Sequence, residues 1–124
     1  MDKILYIGLG GFVGAASRYV LSRWIEIKWE SLLLNGTLVV NTVGSFLLGF
    51  LMILFLEKVT GYTNFKILLT TGFLGAFTTF STFSFETMML IEKKSYLMAG
   101  INIFGNLFLG LFAVLLGIFS ARLI

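Results

Sequence analysis

Two evenly spaced sets of polar residues run through an otherwise apolar chain of 124 residues: Thr37, Asn41 and Ser45, then Asn102, Asn106 and Gly110. Steps of four fall on one face of a helix, so each set draws a narrow polar line along it. A third segment, 70–87, holds eight hydroxyl side chains and five phenylalanines in 18 positions. Within it Phe80 and Phe83 are three apart, among Ser81, Thr82 and Ser84. Amides and hydroxyls donate hydrogen bonds, and a phenyl ring has a positive edge. Such groups can replace the water around a small anion. The same residue types also fasten membrane helices together, as do Gly10 with Gly14 and Ser45 with Gly49, and membrane phenylalanines pack on lipid or helix. Pathway and packing both stand at this level.

Catalysis has little to work with. The chain has no His and no Cys, which removes imidazole bases, thiolate nucleophiles, disulfides and thiolate metal sites. The glycines at 8, 10, 11 and 14 miss the dinucleotide-binding spacing, because Val13 stands where the third glycine belongs. No enzyme is expected. Glu86 is the one carboxylate near the membrane interior, toward the end of its apolar stretch, fit either for the shuttle of a proton-coupled transporter or for a hydrogen-bonded interfacial side chain. Arg18 either snorkels to the membrane surface or draws anions into a vestibule.

The elements that carry these residues follow from composition. Hydrophobic residues make up 58% of the chain and charged ones 12%, with a mean hydropathy of +1.00; a soluble domain carries about 25% charged residues. A transmembrane helix needs about 20 apolar residues, and four apolar stretches fit, at 4–25, 32–56, 65–91 and 95–121. The expected fold is an all-α membrane protein, with residues 1–124 forming one module of four transmembrane helices, TM1 to TM4. The first stretch lacks a cleavage pattern and is read as a retained span. Short connections make neighbouring helices antiparallel.

At about 1.5 Å per residue, a 27-residue TM3 would reach about 40 Å against a core of about 30 Å. Gly72 and Gly75 precede its midpoint at Thr78. A break in the third helix is expected there, covered by a partner subunit.

Charge gives the topology. Lys3, Lys58, Lys66 and Arg122 fall on one side of four spans, and Arg23, Lys28, Lys93 and Lys94 on the other, with Arg18 inside TM1. Orientation is set by Lys and Arg bias, and an even count predicts insertion both ways. The nine cations are scattered singly or in pairs, so a net charge of +3 does not point to nucleic acid.

Longer motifs carry a resemblance. Gly10-Gly11-Phe12-Val13-Gly14-Ala15 with Arg18-Tyr19, then Gly36-Thr37-Leu38-Val39-Val40-Asn41 with Gly44, then Thr71-Gly72-Phe73-Leu74-Gly75 and Thr78-Thr79-Phe80-Ser81-Thr82-Phe83-Ser84 closely resemble the Fluc family of bacterial fluoride channels. The match covers all four spans in order. It implies a dual-topology homodimer, antiparallel in the inner membrane, with two pores that export fluoride passively and so give fluoride resistance. Phe80 and Phe83 are similar to the edge-on aromatic ligands of the pore, and Asn41 to an amide donor to the ion. Ser81 and Thr82 resemble the hydroxyl track, and Arg18 the TM1 arginine. Thr37 and Asn106 join the same pathway. Backbone carbonyls of Gly75 and Thr78, from both subunits, resemble the ligands of a central structural Na⁺. TM4 departs from the pattern, with Asn102, Asn106 and Gly110 where relatives carry Tyr or Ser. Two other classes remain for comparison: a proton-coupled cation or drug exporter using Glu86, and a non-transporting assembly subunit.

Overall fold

The computed structural model describes residues 2–29 and 35–124. Its helices are α1 (Asp2–Lys28), α2 (Gly36–Ile53), α3 (Thr63–Ile67), α4 (Gly75–Phe77), α5 (Phe80–Glu92) and α6 (Tyr96–Leu123). A π-helical stretch, Leu54–Lys58, prolongs α2, and another, Leu68–Leu74, joins α3 to α4. Among the described residues four segments are long and apolar enough to cross a membrane: Asp2–Lys28, Gly36–Lys58, Thr63–Glu92 and Tyr96–Leu123. The predicted opening of TM2 at 32–34, and the end of the loop before it, lie outside the described residues. Elsewhere the helices outrun the predicted spans by one to three residues, except at the start of α6, which begins one residue after the predicted 95. Lys28 and Arg122 sit in the last turns of α1 and α6, where a cation suits the negative end of the helix dipole.

The third span is not one continuous α-helix. After α4, Thr78 (φ −85°, ψ 156°) and Thr79 (φ −148°, ψ 121°) have extended backbone, and α5 begins at Phe80. Thr78 turns its amide and its hydroxyl back to the Leu74 carbonyl, at 3.1 and 3.0 Å. Thr79 is the N-cap of α5, its hydroxyl accepting from the Thr82 amide at 3.2 Å. In the connection between Lys58 and α3, Gly61 has φ +91°.

Small residues set the packing. α1 lies chiefly on the π-helical stretch and α4, while α2 lies on α6. A Cβ on Gly10 would collide with the Leu68 carbonyl, and one on Gly14 with that of Phe73. These two glycines therefore serve close helix approach, the packing reading of that motif. Val40, Leu74 and Phe77 form the buried core, flanked by Leu21, Leu47, Leu51 and Phe73. That core sits against the turn at Thr78 and Thr79. Large apolar side chains such as Phe12, Leu97 and Phe108 are exposed on the outside, as expected where lipid is the solvent.

Candidate ion pathway

Asn41 meets the non-helical turn of the third span. Its Oδ1 accepts from the Thr79 amide at 2.8 Å and its Nδ2 donates to the Thr79 carbonyl at 3.0 Å, a two-point pairing between side chain and backbone. Nδ2 also donates to Asn106 Oδ1 at 2.9 Å. Thus one side chain supplies the Thr79 peptide groups with partners of the kind a helix would have given them.

Two hollows flank this turn. The larger is an open groove of about 550 Å³ lined by Asn41, Ser45, Gly75, Thr78, Phe80, Phe83, Asn106 and Gly110 among others. The smaller, about 220 Å³, is lined by Arg18, Tyr19, Ser22, Arg23, Glu26, Thr37, Thr82 and Glu86. Thr79 lines both. The larger hollow is chiefly apolar. The smaller gathers two guanidinium groups and two carboxylates.

Most of the predicted residues come together around these hollows. Phe80 and Phe83 line the groove with ring centres 5.6 Å apart and planes at 52°. Phe80 is 78% exposed, so its ring is held by little of its own chain. Thr82 lines the smaller cavity. Ser81 is exposed, its hydroxyl 3.5 Å from that of Thr79. Gly75 and Thr78 lie on the groove wall.

The TM2 line divides, with Asn41 and Ser45 on the groove and Thr37 in the smaller cavity. The TM4 line divides too: Asn106 and Gly110 face the groove, while Asn102 is buried at 5% exposure. Arg18 lines the smaller cavity with its Nε buried, and that nitrogen has no hydrogen-bond partner among the described residues.

Several members of the site were not legible beforehand. The Thr37 hydroxyl donates to Glu86 Oε1 at 2.8 Å, and Glu86 lines the smaller cavity. Tyr19, Ser22, Arg23 and Glu26 join it from α1. Asn35 caps α2, its Oδ1 accepting from the Leu38 amide at 2.7 Å, and donates to Asn102 Oδ1 at 3.1 Å. Its Asn-x-x position ahead of an apolar run was the available signal.

An all-helical, multi-pass chain with polar side chains gathered around an interrupted span has the build of a membrane transport protein. Residues 5–118 match the family model described as CrcB-like protein, Camphor Resistance (CrcB). The fluoride-specific ion channel FluC 1 of Methanosarcina acetivorans is 47% identical over 98% of this chain and 92% of its own length. Fluoride-specific ion channels FluC of Hydrogenovibrio crunogenus and Oceanobacillus iheyensis are each 42% identical, over 97% and 95% of this chain and 91% and 90% of theirs. The chain belongs to the CrcB-like family.

Proposed function

We propose that this protein is a fluoride-selective channel that lets the anion leave the cell passively, working as an antiparallel homodimer in the plasma membrane. The observation that carries the reading is the meeting of Asn41, Thr79, Phe80 and Phe83 in one groove at the interruption of the third span, in a chain whose near full-length relatives bear the name of fluoride-specific channels. Arg18, whose buried Nε has no hydrogen-bond partner among the described residues, offers a donor to an anion in the smaller cavity. Hydroxyls of Ser81 and Thr82 and the positive ring edges of Phe80 and Phe83 then replace water around the ion. No step needs a coupled proton. A membrane potential of about 100 mV is worth about 2.3 kcal/mol per charge, enough to hold a roughly fifty-fold fluoride gradient.

A second copy completes the site in this reading. The groove is open on the side that carries the interruption, and an irregular backbone at membrane depth needs protein over it. The even charge count supplies both orientations. Gly75 and Thr78 of two antiparallel copies then offer an uncharged, oxygen-only set of carbonyl ligands, suited to the hard monovalent Na⁺. The break in mid-membrane belongs to the same proposal, as a place where backbone groups reach the ion path.

The test is fluoride release from liposomes holding the purified protein, read with a fluoride electrode against a chloride control. Rapid fluoride release with chloride retained is the expected result. No fluoride release from folded protein would overturn the proposal and return attention to export through Glu86, which the relatives do not favour.

A further inference from the structure

The side-chain amides of this protein form one continuous chain whose direction is set by backbone groups at both ends. At one end the Thr79 amide hydrogen requires an oxygen, so Asn41 must present Oδ1 there and Nδ2 toward Asn106. At the other end the Leu38 amide requires Asn35 Oδ1, which leaves Asn35 Nδ2 to face Asn102. A third anchor agrees: the Thr87 hydroxyl donates to the Phe83 carbonyl at 2.8 Å and so accepts from Asn102 Nδ2 at 2.9 Å. Asn102 is the junction. Its Oδ1 receives Asn35 and Asn106, and its backbone carbonyl receives Asn106 as well, at 2.9 Å.

The hydrogen count along this chain has a functional side. Asn41 spends its two amide hydrogens on Thr79 and Asn106. Asn106 spends its two on the side chain and backbone of Asn102. Asn106 therefore shows Asn41 an oxygen, a group that repels an anion. Turning its amide over would offer hydrogens instead, but would press its oxygen against two oxygens of Asn102. We infer that Asn102 is a positioning residue for the ion pathway: it holds the Asn106 amide oxygen toward Asn41, keeping one Asn41 hydrogen in an internal bond that a passing fluoride must displace. Asn102 lines neither hollow and acts only through Asn106. The inference rests on the channel reading above, and it adds a residue that sets how tightly the pathway holds its ion. An internal partner that competes with the ion keeps residence short, which favours throughput.

The experiment is a double-mutant cycle on fluoride efflux, with the half-saturating fluoride concentration as its readout. Asn102→Leu keeps the shape and removes one of the two bonds that hold the Asn106 amide, the backbone carbonyl of residue 102 keeping the other, and half-saturation is expected to fall roughly two- to threefold, part of the weight of one net hydrogen bond. Asn106→Ser, too short to meet Asn41, is expected to shift it the same way. The double variant should match Asn106→Ser alone, because the Asn102 side chain acts only through Asn106. Should Asn102→Leu fail to assemble as a dimer, Asn102→Ser replaces it, being too short to reach Asn106. Additive effects, or an unmoved half-saturation in a well-assembled Asn102 variant that conducts, would overturn the inference alone. An unaltered chain that releases no fluoride would overturn the channel reading and this inference with it.

Discussion

Replacing Asn41 by Leu removes three hydrogen bonds at one stroke while keeping the side chain's size: those to the Thr79 amide, the Thr79 carbonyl and Asn106 Oδ1, at 2.8, 3.0 and 2.9 Å. Hydrogen bonds between membrane helices average about 0.6 kcal/mol and reach about 1.7, whereas a buried group left unpaired costs about 1–3 kcal/mol. The two Thr79 backbone groups have no helical partners to return to, so the upper half of these ranges applies to them. A loss of about 2–5 kcal/mol is expected, measured by reversible unfolding in detergent or bicelles. Asn41→Asp separates pinning from ion contact. It keeps an acceptor for the Thr79 amide, loses the donor to the carbonyl, and places a negative charge in the groove. It should recover part of the stability of Asn41→Leu and conduct no fluoride. An Asn41→Leu protein within about 0.5 kcal/mol of the parent would refute the claim that this side chain pins the interrupted span.

Phe80→Leu or Phe83→Leu is expected to cut fluoride efflux at least tenfold with little change in stability, since Phe80 is largely exposed; liposome flux and unfolding on the same samples check both. Glu86→Gln keeps an acceptor for the Thr37 hydroxyl and should leave passive efflux measurable, whereas a proton-coupled exporter would stop. Gly44→Val should destabilise by about 1–3 kcal/mol, because a Cβ there already collides with the Thr78 side chain; unfolding reports it, and a neutral result would show that the interrupted turn yields. With Lys58 replaced by Cys, an impermeant thiol reagent should label part of the protein from each face of the membrane; labelling from one face only would refute dual topology.

The amino-acid sequence carried the architecture because the signals there are long: four apolar stretches, few charges and short connections leave one arrangement of helices. It carried the residues around Phe80 and Asn41 because their spacing and motif are local. What it could not carry was pairing between spans. Thr37 and Glu86 are 49 positions apart and Asn35 and Asn102 are 67 apart, and no periodicity links them; only the packing of α2 on α6 and α5 does. Arg18 shows the same limit. Its type allowed two fates, and which one holds depends on the cavity its neighbours build. The π-helical stretch Leu68–Leu74 had no sequence signal beyond its glycine and threonines, since a widened turn is chosen by what presses on it, here Gly10 and Gly14 of α1.

That stretch also governs how the span tolerates change in length. An α-helix turns about 100° per residue, so one added or deleted residue normally rotates everything downstream by that amount and scrambles the faces. A π turn holds one residue more than an α turn for the same circuit, and such bulges commonly mark functional sites. Removing a single residue within Leu68–Leu74 can therefore be absorbed by tightening the coil, leaving Phe80 and Phe83 on their original bearing. The stretch is a slack loop on a taut rope, where length can change while aim is kept.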